Sequence, residues 1–560
     1  MMHWIEKTVE DVVREFGERS VIVCNGGLSV SGLQHVGRIR GEITFVGTVC
    51  KILREKGYEA KHTLVLYTQD PWKGKPSQLM QFKNPEEAKS YHNYPLIRVP
   101  DPEGCHDNWV EHYWEDFGNY LDEFYEGINV VYTHELYRNN DEMKRFIIDS
   151  IVMKEKIREV INKYRGRTKL PADWIPFEPI CEKCGRIGTS KVLDVDLNEY
   201  KVKYRCSCGF EGKTSMENGK LMWRLEWVAV WRVLNVSFEP YGKDHATPGG
   251  SRDSCNDLAL NVFGFNPPVG LAYEWVGYVK GGVDMGDMGS SDFIGFTPKK
   301  WLEVAEPEVL KFLYLLNPPM KRIVLSLERV PLYVDRYDRA ERLYYGIEKA
   351  TIPKEKLENI VKSYVYAQKG KPPKDPPYQI SFLHAVALVQ TIPDTDDIIT
   401  EAIKRIEKTT KRKLHLSSFE IDRLKRRLTN ARNWLINYAP HHYKISVLEK
   451  LSEDIITRLD PKILPLIKEL YANFQNIAWE EEEIKRAMIN VKRRDRREEI
   501  LFFKTLYLVF FGREYGPRIA PYLSILDKEF VLNRLQETIR VLSLKINGQI
   551  YQRFFNLLIY

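Results

Sequence analysis

Nowhere in the 560 residues does an apolar run approach the roughly 18 needed to cross a bilayer, so no membrane-spanning helix is expected. The start, Met1-Met-His-Trp-Ile-Glu-Lys, has no signal-peptide pattern, and the expected compartment is the cytoplasm. Cysteine is scarce as well. Eight thiols in a chain of this size are no disulfide framework, and four of them stand in metal-type pairs. Neither a G-x-G-x-x-G dinucleotide fingerprint nor a G-x-x-x-x-G-K-[ST] P-loop occurs, which removes the ordinary nicotinamide and P-loop readings. There is no internal repeat.

What is present is globular: 43% apolar and 29% charged residues, with a length that suggests about three to four domains. The net charge of +7 is concentrated in one place. Between Glu401 and Arg432, eleven lysines and arginines (Lys404, Arg405, Lys408, Lys411, Arg412, Lys413, Arg423, Lys425, Arg426, Arg427 and Arg432) face four acids, an excess equal to that of the whole chain. A localised basic face is the footprint of a phosphate-bearing partner, and a solvated helix face produces the same pattern.

The stretch that organises the chain lies near its start. Val21 to Cys24 reads as a buried strand, and Asn25 to Ser31 as a tight turn. From Gly32 a long helix is expected, with Val36, Ile39, Ile43, Val46, Val49 and Leu53 on one face and its stop at Gly57. His62 to Tyr67 reads as a second strand, so the unit is βαβ with a parallel pair and a right-handed crossover. The first turn of such a unit lies at the carboxyl end of the strand, where helix N–H groups favour an anion and phosphate is the default guest. Here stands Ser31-Gly32-Leu-Gln-His35-Val-Gly37-Arg38. An imidazole at the helix mouth can donate to phosphate oxygens, and Gly37 leaves room for a flat base. A buried turn with a core histidine fits the same residues.

Further along, Asp70 follows the second strand on the same rim, as a ligand for a ribose, an ammonium or a metal, or as a solvated loop acid. Asp101, Cys105, His106 and His112 bring four ligand-type side chains within twelve residues, either a tetrahedral zinc site or a loop histidine pair beside a free thiol. Asn119 to Arg165 is mostly helical, and the prolines from Pro171 to Pro179 end that pattern. Then Cys181 and Cys184, two strand-like runs at Lys191–Leu197 and Tyr200–Tyr204, and Cys206 and Cys208 spell a zinc ribbon. Such a lobe cannot bury a core, so metal supplies its folding energy.

Ser31-Gly-Leu-Gln-His35-Val-Gly37-Arg38 resembles the first signature of class I aminoacyl-tRNA synthetases. Gly242-Lys-Asp-His245 and Ala272-Tyr273-Glu-Trp275 make the likeness specifically one to the class I lysyl-tRNA synthetases of archaeal type. The general class pattern ends in a second histidine, where this chain has Arg38. The resemblance extends to Gly512-Arg-Glu-Tyr-Gly516 and is weakest from about Lys371 to Arg497. It implies an α/β Rossmann-like parallel sheet with an inserted zinc ribbon, followed by an all-α C-terminal domain.

The expected boundaries are 1–178 and 216–300 for the two parts of the catalytic domain and 179–215 for the ribbon. A helical connecting domain follows at 301–370, and an all-helical anticodon-binding domain at 371–560. The implied reaction is ATP-dependent activation of lysine and its transfer to tRNA(Lys), with Mg²⁺ and Zn²⁺ as ions and a monomer favoured as the oligomeric state. By the resemblance, Ser31, Gly32, His35, Gly37 and Met288 hold ATP. His35, Gly37, Arg38, Ser290 and Ser291 serve catalysis, and Gly27, Ser29, Glu42, Trp223, His245 and Tyr273 bind lysine. The Asp101, Cys105, His106 and His112 cluster matches a zinc site of that family.

Physical chemistry asks the same of a lysine pocket, namely an apolar sleeve for the methylenes and a carboxylate for the ammonium. Glu42, two helical turns beyond His35 on the same face, is nominated for the ammonium, with Glu226 and Asp244 in reserve.

One signature departs from the family. The class loop carries two lysines around Met-Ser-x-Ser, and in Gly281 to Asp292 both places are aspartates, Asp287 and Asp292, while Met288, Ser290 and Ser291 remain. An anion beside developing phosphate charge costs several kcal/mol of transition-state stabilisation. Compensation is expected from Arg38 together with Lys243 or Lys280, with Mg²⁺ bridged by an aspartate. Two alternatives stay open at this point: a weak or inactive paralogue that binds tRNA, and a class I synthetase for another amino acid. From Thr297 onward helices dominate, with a Pro-rich boundary at Lys369–Pro377 and aromatics Phe419, Trp434 and Tyr438 placed to stack on bases or to fill a core.

Overall fold

The computed structural model describes residues 2–557 apart from 167, 393–396, 411, 445, 446, 449 and 494, so Lys411 of the basic stretch lies outside the described residues. After a first helix, α1 (Trp4–Phe16), come β1 (Ile22–Leu28), α2 (Val46–Glu55), β2 (Ala60–Leu66) and β3 (Asn129–Tyr132). β1 and β2 run parallel in register from Ile22 opposite Ala60 to Leu28 opposite Leu66. Every β2 residue except Lys61 is buried, as expected of a parallel strand covered on both faces.

Two features differ from the sequence-based expectation. β1 does not stop at Cys24 but continues through Asn25, Gly26 and Gly27 to Leu28. Its glycines serve close approach: a Cβ on Gly26 would stand 2.8 Å from Glu42 Cβ, and one on Gly27 would stand 3.0 Å from the Tyr67 ring. The helix also starts later. Residues 31–38 form a loop, and the first seven helical residues, Ile39–Phe45, wind as a π-helix before α2. The wider turn faces both Arg40 and Glu42 inward. Arg40 is fully buried and donates to the carbonyls of Glu274, Pro318 and Lys321, while the apolar face from Val36 to Leu53 is buried as its periodicity requires.

Between β3 and the return to the sheet, the chain inserts β4 (Phe177–Pro179), then the ribbon strands β5 (Ser190–Asp196), β6 (Lys201–Cys206) and β7 (Glu211–Ser215), and finally β8 (Gly219–Leu221). β4 and β8 pair antiparallel and close the neck of this insertion. The chain then adds β9 (Val236–Gly242) and β10 (Val269–Tyr273), giving the five-stranded order β10-β9-β1-β2-β3, parallel throughout. Strand order reverses at β1, so the crevice between the carboxyl ends of β1 and β9 is the switch point where such sheets take ligands.

β11 (Val276–Lys280) and β12 (Val283–Asp287) form a hairpin whose turn is Gly281-Gly282, both with positive φ, and β13 (Ile323–Leu325) pairs with β11.

The chain forms two compact units, one of residues 1–302, 307–326 and 340–372, the other of 303–306, 327–339 and 373–560. The second unit is helical. Its helix Ser418–Asn437 takes Arg427 out of the basic face: the guanidinium is buried, donating to Glu306, both carboxylate oxygens of Asp338 and the Ile380 carbonyl. Trp434 is likewise core, with its indole N–H on the Leu327 carbonyl, whereas Phe419 is exposed. Removing one partner strands two buried carboxylates, so Arg427→Ala is expected to cost about 3–5 kcal/mol, read as a lowered unfolding midpoint of this unit. The exposed neighbour Arg426→Ala should change it by less than about 0.5 kcal/mol. Among the described residues no helix is long and apolar enough to cross a membrane.

Candidate active site

Because the π turn faces inward, Glu42 lies under the end of β10 with 7% of its surface exposed. Tyr273 donates its hydroxyl to Glu42 Oε1 at 2.7 Å, and Gly41 makes this possible, since any side chain there would collide with the Tyr273 ring. Glu42 Oε2 is buried and has no hydrogen-bond partner among the described residues. Burial pushes the carboxyl up to about 7, against the opposing pull of Arg38 and the Tyr273 hydroxyl. A buried carboxylate with one oxygen held and the other free is built to take a cation.

Tyr273 pairs across the sheet with Gly242, three residues before His245. His245 in turn lies against Trp223 and Trp227, with ring centroids 5.8 and 5.1 Å away. Gly27 closes β1 against Tyr67, and Ser29 follows its end. The reserve acids are differently employed. Glu226 and Asp70 both grip the buried Lys220 ammonium at 2.6 Å, and Asp244 stands beside the His245 ring at 3.4 Å. Sequence reasoning passed over Glu239, which sits in β9 and accepts from Asn25, Trp227 and Trp231. That fully engaged carboxylate ties β1 to the tryptophan helix Trp223–Val233.

Beside this pocket two loops are pressed together. Gly32, at φ 153°, lies so close to Ser290 that a Cβ would stand 2.5 Å from the Ser290 carbonyl. Arg38 Nε donates to Ser290 Oγ at 3.0 Å. The His35 ring packs on Gly37, which also lies near Met288, and burial reinforced by the Arg38 charge holds its pKa well below the ordinary value. At neutral pH the imidazole is therefore uncharged, one ring N–H remains to donate, and Arg38 is the charged group of this loop.

The two aspartates of the second loop are not bare. Arg322 Nε donates to Asp287 at 2.7 Å, with Lys243 3.7 Å away, and Lys75 Nζ contacts both oxygens of Asp292 and the hydroxyl of Ser291. Lys243, nominated above, is chiefly engaged by Glu274 at 2.6 Å, while Lys280 stands at the β11–β12 turn. Lys75 and Arg322 escaped the sequence reading. The one signal for Lys75 was its Lys73-Gly-Lys75-Pro loop just beyond β2.

Two groups of side chains have metal-ligand character. The Sγ atoms of Cys181, Cys184, Cys206 and Cys208 all lie within 4.8 Å of one another, where Cys181, Tyr204 and Cys206 form a small buried cluster of their own while Val192 and Val202 of the ribbon strands join the larger core around Trp227. Four convergent thiols fit Zn²⁺. Asp101, Cys105, His106 and His112 converge within the same distance, with His112 Nδ1 3.0 Å from Asp101 and 3.3 Å from Cys105 Sγ, a mixed donor set that also suits Zn²⁺. Stripping bound zinc with a chelator should loosen the two cysteine turns, whose own buried cluster is small, read as faster amide exchange around Cys181–Cys184 and Cys206–Cys208. Cys206→Ser is expected to lower bound zinc by one equivalent per chain, measured by elemental analysis.

Residues 2–366 match the family model described as tRNA synthetases class I (K). The lysine–tRNA ligase of Aeropyrum pernix is 42% identical over 555 residues, covering 98% of this chain and 100% of that protein. Those of Methanosphaera stadtmanae and Pyrococcus horikoshii are 31% and 32% identical, covering 95% and 96% of this chain and 99% of each.

Proposed function

The chain belongs to the class I lysyl-tRNA synthetases and has lysine–tRNA ligase activity, and from that premise we propose how its residues divide the work. Lysine lies with its ammonium on Glu42 Oε2, its methylenes between Tyr273 and the Trp223–His245 pair, and its α-amino end toward Gly27 and Ser29. The observation that carries this reading is the buried, unpartnered oxygen of Glu42 beside an oxygen already held by Tyr273. An ionised carboxylate there rejects glutamate.

ATP lies over residues 31–38, with His35 and the loop N–H groups on its phosphates, its base against Gly37 and Met288, and Ser290 and Ser291 on the far side. The lysine carboxylate attacks the α-phosphorus in line, giving lysyl-adenylate and pyrophosphate. A hydroxyl of the terminal adenosine of tRNA(Lys) then attacks the carbonyl and AMP leaves. No enzyme nucleophile is required, so catalysis is positioning plus electrostatics. Arg38, tethered to Ser290, is the cation between the two substrates. Mg²⁺ bound with ATP would supply further neutralisation of phosphate charge.

The four-cysteine ribbon (179–215) and the Asp101 cluster hold structural zinc, residues 1–178 and 216–300 carry the chemistry, 301–370 connect, and the helical residues 371–560 hold the anticodon of the tRNA. The enzyme works in the cytoplasm. Neutralisation of Asp287 and Asp292 by Arg322 and Lys75 favours an active enzyme over a paralogue that only binds tRNA. ATP–pyrophosphate exchange with each of the twenty amino acids, with and without tRNA, tests the assignment. Exchange with lysine alone is expected, and exchange with another amino acid, or with none, would overturn it.

A further inference from the structure

The reaction breaks the bond between the α-phosphorus and its bridging oxygen as the lysine carboxylate bonds to that phosphorus. The electron pair stays on the departing pyrophosphate, so negative charge grows there and a cation within reach lowers the barrier. Around the loop Ser290–Asp292, two cationic side chains make direct contact among the described residues. Arg38 holds Ser290, and Lys75 holds Ser291 Oγ at 2.9 Å and the Asp292 carboxylate at 2.9 and 3.1 Å. Arg322 and Lys243 are taken up by Asp287, Asp284 and Glu274.

We propose that Lys75 is the cation for the leaving pyrophosphate, and that Asp292 holds its ammonium until the triphosphate takes the carboxylate's place. The backbone around Lys75 is fixed, while its ammonium reaches across to the facing loop. Its own N–H is capped by Gln78 Oε1 at 2.9 Å. Gln78, fully buried, donates to the Ser31 carbonyl at 2.8 Å, and Ser77 donates to the Ser291 carbonyl at 2.6 Å. Residues 75–78 thus strap the loop after β1 to the loop after β12, and the Lys75 side chain sits at the junction.

The side chains of Lys75 and Asp292 are 41% and 49% exposed, so their ion pair is weak and water-screened. A multiply charged triphosphate arriving at the same hydroxyls competes for the ammonium without stranding a buried charge. Asp292, which reads as a defect beside phosphate chemistry, is then an anionic placeholder.

This inference rests on ATP lying over residues 31–38, and the full-length enzyme tests both together through lysine-dependent ATP–pyrophosphate exchange. Lys75→Ala should lower kcat about thirtyfold and raise the KM for pyrophosphate about tenfold, with Lys75→Arg recovering most of both. Asp292→Asn should lower the KM for pyrophosphate severalfold, because a competitor for the ammonium is gone. A pair that only clasps two loops predicts the opposite sign for Asp292→Asn. A KM unchanged or raised in Asp292→Asn, or Lys75→Ala exchange within about threefold of the parent, would overturn the proposal. Near-parental exchange by His35→Ala and Arg38→Ala would instead defeat the placement of ATP.

Discussion

Glu42→Gln is expected to lower kcat/KM for lysine by about a thousandfold, the largest effect of any single substitution in this protein. The amide keeps the shape of the side chain and its bond with Tyr273 but withdraws the negative charge from a group only 7% exposed. An ammonium left without its anion in such a place costs about 4 kcal/mol, which is three decades. Because burial raises the Glu42 carboxyl to about 7, the free enzyme holds a proton there under mildly acid conditions. With the ammonium taken by the ionised form, as proposed, kcat/KM should rise about tenfold per pH unit below 7 and level off above it. In Glu42→Gln that limb disappears.

Stability moves the other way. A carboxyl whose folded pKa lies above its unfolded value destabilises the fold increasingly as pH rises from the unfolded pKa to the folded one. The ligand-free Glu42→Gln protein is therefore expected to be the more stable at pH 8, and a thermal scan without lysine reads that directly. Gain of stability with loss of specificity separates a binding carboxylate from a structural one.

Arg38→Ala is expected to lower kcat for pyrophosphate exchange by about 10²–10³, the loss typical of one preorganised group aimed at transition-state charge. The guanidinium is fixed by Ser290, and its charge acts on His35 and on Glu42, lowering the pKa of both. Its removal should thus also shift the Glu42 limb of the lysine pH profile toward higher pH, which loss of packing alone would not do. Arg38→Lys keeps the charge but not the planar donor geometry and should recover part of kcat. An Arg38→Ala enzyme exchanging as fast as the parent would show that the missing loop lysines are compensated elsewhere.

Much of this site was legible from local patterns. The β1–β2 pair, the apolar face from Val36 to Leu53 and the two metal-type clusters follow from periodicity and spacing, and each is present. The departures come from contacts between segments distant in sequence. Gly26 and Gly27 resemble turn residues, yet they sit in a strand because Glu42 and Tyr67 press against them. The π turn at Ile39–Phe45 leaves the apolar pattern intact and is stabilised by Arg40 reaching three carbonyls far along the chain. Likewise nothing near Asp292 announces Lys75, 217 positions away, and nothing near Asp70 announces its engagement by Lys220. Arg427, one charge in a basic run, is held inside by Asp338 and Glu306.

The most direct test is where a bound lysine places its side-chain nitrogen in a crystal of the enzyme with lysine and a non-hydrolysable ATP analogue. That nitrogen should lie within about 3 Å of Glu42 Oε2, with the triphosphate in hydrogen-bond range of Arg38. An ammonium seated on Asp244, or phosphates lying away from the loop of residues 31–38, would contradict it.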